Sequence, residues 1–201
     1  MPSEQKPSET YDVAVIGAGP AGMVAAISFA QKGLSTLLLA PGVNLEDKRT
    51  TALLQESVVY LSGLGVWDKL APKAAPLRRM RMIDATGRLI RAPEVTFDSA
   101  ELDLDAFGYN LLNKELNAVL EEFADKQNNL TFIREAAADY TFGDDHVAIE
   151  DAGGSFHHAR LAVAADGRNS ALRYAAGIEV KRWSYPQVAV VMNLDHDQPH
   201  G

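Results

Sequence analysis

Gly17, Gly19 and Gly22 stand in the run Gly17-Ala18-Gly19-Pro20-Ala21-Gly22, which satisfies G-x-G-x-x-G. Between a strand and a helix, glycines at this spacing make a cradle for a pyrophosphate. The first permits a tight exit from the strand, the second lets the backbone approach the phosphates, and the third lets the helix pack close to the sheet. The helix then aims its free N–H groups and the positive end of its dipole at the anion. Pro20 and Ala21 lie within the loop and count among its binding residues. Asp166-Gly167 is a second candidate. It follows the apolar run Leu161–Ala165 and precedes a helix that Asn169 or Ser170 can cap. A carboxylate at the carboxyl end of such a strand lies where open α/β sheets place their ligand crevice. A plain Asp-Gly turn would have the same sequence.

The elements that must hold these turns are legible around them. "YDVAVIG" is short, β-branched and apolar on both faces, as a strand buried in a parallel sheet is. "GPAGMVAAISFAQKG" reads as a helix closed by Gly33, and "STLLLA" as a second buried strand, which gives a β-α-β unit. "TTALLQESVVYLSGLG" carries Leu53, Leu54, Val58 and Leu61 at helical spacing, with Gly63 and Gly65 at its end, and a brief helix "VWDKL" follows. "LRRMRMIDATGRLIRAP" predicts a hairpin turning at Thr86-Gly87. "GYNLL" leads as a strand into the helix "NKELNAVLEEFADK", and "LTFIRE" is a third parallel strand. Residues 138–165, with "DYTF", "HVAIED", "SFHHA" and "LAVAAD", predict three or four short strands, the last returning to the central sheet. "RNSALRYAAG" is a helix. The expected fold is α/β: a Rossmann-like domain with a parallel central sheet and an inserted β-meander, followed by the start of a mostly β domain.

Composition narrows the function. The chain has 201 residues, 47% hydrophobic and 23% charged, with a formal charge of −8 and no cysteine. Scattered acids argue against a nucleic-acid surface, which needs concentrated Lys and Arg. The absence of cysteine removes disulfides, thiolate metal sites and cysteine nucleophiles. The uncharged stretch Val13–Gln31 is long enough to cross a membrane, but its central glycines and proline split it into strand and helix. His157 and His158 point to opposite faces of a strand, and His196 and His200 lack the i, i+4 geometry of a metal helix, so no metal is expected. Ser170 lacks a G-x-S-x-G context.

Residues 11–40 and 161–173 together resemble the flavin-dependent aromatic monooxygenases with the p-hydroxybenzoate hydroxylase fold. That family pairs an early G-x-G-x-x-G with a later apolar strand, Asp-Gly, two residues, Ser, then Arg: here Asp166, Gly167, Ser170 and Arg173. "DKRTTALLQESVVYLSGLGVWDKL", "FGYNLLNKELNAVL" and "WSYPQVAVVMNLDHDQPHG" are similar to the ubiquinone-biosynthesis hydroxylase branch. The resemblance implies FAD as cofactor, NAD(P)H as co-substrate, O₂, and hydroxylation of an aromatic, phenolic and in some cases prenylated small molecule through a flavin C4a-hydroperoxide. It implies a cytoplasmic enzyme, peripheral to the inner membrane or held in a biosynthetic complex. It makes Gly17, Gly19, Pro20, Ala21 and Gly22 the pyrophosphate loop, sets Arg49 along the flavin, gives Asn113 a flavin contact at a helix start, and assigns Asp166 and Gly167 to FAD and the nicotinamide nucleotide. No catalytic side chain is assigned.

Two departures stand out. Ala40 occupies the tip of the second strand, where a carboxylate usually grips a ribose; Glu46 or Asp47 is the substitute at hand. The family's third flavin motif is absent, since "GDDH" at Gly143–His146 reads as a hairpin turn. The expected organisation is a disordered lead-in over 1–10, an FAD-binding domain over 11–75 and 100–179, and a truncated substrate domain over 76–99 and 180–201. The alternatives are a flavoprotein dehydrogenase, a prenyl reductase, or a non-catalytic fragment.

Overall fold

The computed structural model describes residues 10–190, 192, 194, 195 and 197. His196, His200 and residues 1–9 of the expected lead-in lie outside the described residues. In chain order the elements are β1 (Thr10–Ile16), α1 (Pro20–Gln31), β2 (Thr36–Leu39), β3 (Thr50–Leu54), α2 (Gln55–Gly63), α3 (Trp67–Leu70), β4 (Ala75–Pro76), β5 (Arg79–Met82), β6 (Val95–Asp98), β7 (Gly108–Leu112), α4 (Asn113–Asp125), β8 (Leu130–Ile133), β9 (Ala137–Phe142), β10 (Val147–Asp151), β11 (Phe156–Ala164) and α5 (Ala171–Ala175). They fall into two compact units, one running up to Glu46 and resuming over Leu116–Val188, the other built around Asp47–Glu115.

The first unit holds a six-stranded sheet in the order β8-β2-β1-β11-β10-β9. β8, β2, β1 and β11 are parallel, and β10 and β9 add an antiparallel meander. This is the Rossmann-like α/β architecture expected from the sequence. β1 and β2 are buried on both faces, which is why they read as continuous apolar runs. Ala14, Ile16, Leu37 and Leu39 share one face with Val147, Ile149, Ala159 and Leu172. Val13, Val15 and Leu38 occupy the other, and α1, with Met23 and Ile27 fully buried, packs against β1 and β2. Each fully buried Leu contributes on the order of 2 kcal/mol. An exposed pair such as Arg160–Asp12 at 3.5 Å contributes a few tenths, so burial, not charge, holds this sheet. The stretch Val13–Gln31 splits into β1 and α1, as its glycines required. Gly33 closes α1 at φ 84°, where its amide donates to Ala30 O and that of Leu34 to Phe29 O, satisfying carbonyls that the helix end leaves open.

The second unit contains β3-β7-β4 and the two-stranded ribbon β5-β6. Here two sequence expectations need correction. Thr50–Leu54 is a strand, not the first turns of a helix; it pairs antiparallel with β7, and the helix begins at Gln55. The pairing is tight at Gly108, where an added Cβ would lie 2.2 Å from Leu53 O. Helical spacing holds only from Val58 and Leu61, which are buried, whereas Leu54 is exposed. The hairpin does not turn at Thr86-Gly87. β5 pairs with β6, in the register Arg79↔Asp98 to Met82↔Val95. Asp84 organises the wide connection by accepting from the amides of Thr86 and Ala92, both at 3.0 Å. In the first unit, the three or four strands expected over 138–165 are three, with "SFHHA" and "LAVAAD" joined in one strand, β11. Its first residues pair with β10 and its later ones with β1.

The β10–β11 connection is fastened by Asp151, whose side chain is 4% exposed. Its Oδ1 accepts from the amides of Gly153 and Ser155, and its Oδ2 contacts His157 Nε2 at 2.8 Å. His158, on the opposite face, stacks near His146 instead. The His157 contact, then the Ser155 amide, hold the Asp151 carboxyl below its usual value. A lowered folded value means stability that is full at neutral pH and is lost as pH falls through that value. Asp151→Ala is expected to cost about 2–3 kcal/mol at pH 7. In urea denaturation the gap to wild type should narrow as pH drops below about 4.

Candidate functional site

The carboxyl ends of β1 and β11 meet. The Ala165 amide donates to Ile16 O at 2.8 Å, and a Cβ built on Gly17 (φ 108°) would lie 2.4 Å from Ala165 O and 2.8 Å from Asp166 N. The two turns singled out in the sequence, 150 residues apart, are therefore in direct contact. Gly22 is equally constrained: its Cβ would sit 1.9 Å from Gly17 O and 3.1 Å from the Ala165 side chain. Gly19 differs. It precedes α1 at φ −70°, and an added Cβ would meet no protein atom within 4 Å. No side chain caps α1, Pro20 opens it without an N–H, and the amides of Ala21 and Gly22 belong to a first turn that has no intrahelical acceptors. Ala21 and Gly22 thus offer donors beside an open glycine, the arrangement that takes a phosphate.

Asp166 is divided between two tasks. Its Oδ2 accepts from the amides of Ala171 (2.7 Å) and Leu172 (3.2 Å) at the start of α5, while Ser170, the N-cap, accepts from the Arg173 amide at 3.0 Å. Ser170, rather than Asn169, is the capping residue. The other oxygen, Asp166 Oδ1, is buried without a hydrogen-bond partner among the described residues. Arg173 Nη2 donates to Arg168 O and closes the turn around Gly167, whose φ is 85°. Tyr140 on β9 feels the same carboxylate: burial first, then the Asp166 charge, pushes its hydroxyl up to about 12. Tyr140 carried no sequence signal beyond its place in a strand.

In the second unit, Arg49 and Asn113 come together on Asp47. Arg49 grips Asp47 with two bonds, Nε to Oδ1 at 2.9 Å and Nη2 to Oδ2 at 2.7 Å. Asn113 Nδ2 donates to Asp47 Oδ2 at 2.9 Å, and Asn113 Oδ1 accepts from the Thr51 hydroxyl at 2.6 Å. The Arg49 contact, then Asn113, holds the Asp47 carboxyl well below the usual carboxylate range, and Asp47 in turn raises Arg49. Asn113 is the first residue of α4, with its amide spent on this bridge. Asp47 has no oxygen left over for a ribose. Asp47 and Thr51 escaped the sequence reading as cluster members; the only hint is an acid two residues before an arginine in a loop.

A phosphate-bearing dinucleotide fits the first-unit residues on three counts: the space over Gly19, the uncapped first turn of α1, and the partnerless Asp166 oxygen. Comparisons with known proteins point the same way. The family described as FAD binding domain matches residues 10–200. The chain is 31% identical over 203 residues to the 3-demethoxyubiquinol 3-hydroxylase of Escherichia coli, covering 96% of this chain and 51% of that protein. It is 29% identical over 199 residues to the ubiquinone hydroxylase UbiL of Rhodospirillum rubrum, covering 94% and 44%. It is 30% identical over 209 residues to the human mitochondrial ubiquinone biosynthesis monooxygenase COQ6, covering 92% and 43%. The chain thus spans about half the length of these relatives. In fold it matches the p-nitrophenol 4-monooxygenase PnpA of Pseudomonas putida, with TM-score 0.70 and 24% identity over 84% of this chain and 44% of that one.

Gly22 and Gly19 should separate by experiment. Gly22→Ala forces a Cβ into backbone and is expected to lower stability by about 2–3 kcal/mol or more. Gly19→Ala should change the stability of the cofactor-free protein by less than about 1 kcal/mol, the scale of a cap substitution. Chemical denaturation of both variants measures the difference.

Proposed function

This chain belongs to the FAD binding domain family, and on that premise we propose that it is the cofactor-holding part of an FAD-dependent hydroxylase acting on an aromatic ring in ubiquinone biosynthesis. The single observation that carries the reading is the contact between Gly17 and the Ala165–Asp166 peptide. It sets a phosphate cradle and a carboxylate turn at adjoining strand tips, where open α/β sheets bind nucleotides. In this reading Gly17, Gly19, Pro20, Ala21 and Gly22 hold the pyrophosphate, the Ala21 and Gly22 amides donating to it. Asp166 Oδ1 accepts from a cofactor hydroxyl, and Gly167 leaves room for the approach. In the second unit, Arg49 and Asn113, oriented by Asp47, are the residues this reading gives to the flavin.

Bound FAD supplies electron transfer from NAD(P)H and the activation of O₂. The protein's task is to orient the ring and keep water out, since a wet site would release reduced oxygen unproductively. Residues 76–99 and 180–201 are assigned to the beginning of a substrate domain. What supports this is the β5-β6 ribbon, whose Met80, Met82 and Phe97 are exposed; two strands alone do not make a stable sheet. A prenylated substrate partitions into lipid, so the reading places the enzyme at the cytoplasmic surface of the inner membrane. No helix among the described residues is long and apolar enough to cross one.

The full-length protein should purify yellow and carry FAD. With NAD(P)H and ¹⁸O₂ it should insert one labelled oxygen into a phenolic ubiquinone precursor. Gly19→Val should weaken FAD binding at least about tenfold, the scale of one lost phosphate contact. Product without label, formed with hydride transfer alone, would favour a dehydrogenase or reductase; a protein that takes up no FAD would overturn the reading.

A further inference from the structure

Ala40 sits where dinucleotide-binding units place the acid that holds the ribose hydroxyls. It is 4% exposed, and its amide donates to Ile133 O at 3.2 Å, so the tip of β2 presents neither a side chain nor a free N–H. The loop that follows, residues 41–46 of the same unit, is different. The amides of Gly42 and Val43 donate to no acceptor among the described residues. Gly42 has φ 124°, and an added Cβ there would meet no protein atom within 4 Å. Asn44 Oδ1 accepts from the Glu46 amide at 3.0 Å and shapes the turn. Beneath it, Asn117 of α4 is 6% exposed and donates Nδ2 to Asn44 O at 3.0 Å. Asn117 Oδ1 has no partner among the described residues, which is costly at that depth unless a donor reaches it.

We propose that ribose recognition in this chain has moved from the tip of β2 to the 41–46 loop, with Asn117 as the residue that positions it. This rests on the FAD reading above. A ribose hydroxyl both donates and accepts. The unpaired amides of Gly42 and Val43 supply donors to the ribose oxygens in place of an accepting carboxylate. Asn117 acts through Asn44: it pins the carbonyl that fixes the loop, so the amides stay in one place.

The test compares FAD with an FAD analogue whose adenosine ribose lacks the 2′- and 3′-hydroxyls, titrated calorimetrically into the full-length protein stripped of flavin. Wild type should bind FAD about tenfold more tightly than the analogue, the scale of one or two hydrogen bonds. Asn117→Leu should bind both equally, at about the affinity wild type has for the analogue. Gly42→Ala, which touches no other element, should do the same and serves if Asn117→Leu does not fold. Ala40→Asp should not raise FAD affinity. A wild type that does not distinguish the two ligands, or variants that keep the distinction, would overturn the proposal while leaving the FAD reading intact. A wild type that binds neither would overturn both.

Discussion

The peptide joining Ala165 to Asp166 lies so close to Gly17 that no side chain fits between them. Much of the first unit follows from that contact. β11 must run parallel to β1 and in register to its end, from Thr10↔His158 to Ile16↔Ala164. The chain must cross from the meander into the central sheet within one strand, which is why β11 is nine residues long and changes partners midway. α1 must leave β1 through a turn that only a residue at positive φ can make. Gly22 then has to be bare, because the same turn brings Gly17 O against the first turn of the helix. Two of the three motif glycines are thus explained by the protein's own backbone. Gly19 has no such explanation: a Cβ there would meet no protein atom within 4 Å.

The sequence was most legible where burial on both faces fixed the pattern. β1, α1, β2 and the return of β11 follow from apolar runs broken by glycine, and their competing reading, a membrane span, fails on the same glycines. Legibility fell in the second unit, where strands are short and half exposed. Thr50–Leu54 carries leucines that continue the helical spacing of Val58 and Leu61, and nothing local says that Gly108, over fifty residues on, will pair with it. Tertiary pairing overrode the period. Thr86-Gly87 is a fair turn signal by itself, but Asp84 spans from Thr86 to Ala92 and holds a wider loop, leaving Val95–Asp98 to pair with β5.

Of the site, the two turns were legible because each is a dense local motif. Asp47 was not, since its role exists only after folding brings Asn113, 66 residues away, to its carboxylate. That partnership also alters what Arg49 is. A bidentate arginine–carboxylate pair is a fixed fork rather than a roaming charge. Whatever Arg49 touches, it reaches from an oriented position, its net charge offset by Asp47.

A formal charge of −8 works against the doubly charged pyrophosphate of the proposed cofactor. Charges further than about 8 Å are largely screened at physiological ionic strength, and many of the acids are locally answered: Asp47 by Arg49, Glu115 by Lys73, Glu121 and Asp125 by Arg134. The sequence of α1, PAGMVAAISFAQ, contains no charged residue. The helix's own contribution at its first turn is equivalent to roughly half a positive charge, carried by amides with no intrahelical acceptor, and it stands beside the Asp166 carboxylate at the adjoining strand tip. An arginine or lysine there would add attraction but would also need room and ordering in a turn where Gly17 and Gly22 leave none. The same close packing that excludes side chains at Gly17 and Gly22 leaves backbone amides to face the open space over Gly19.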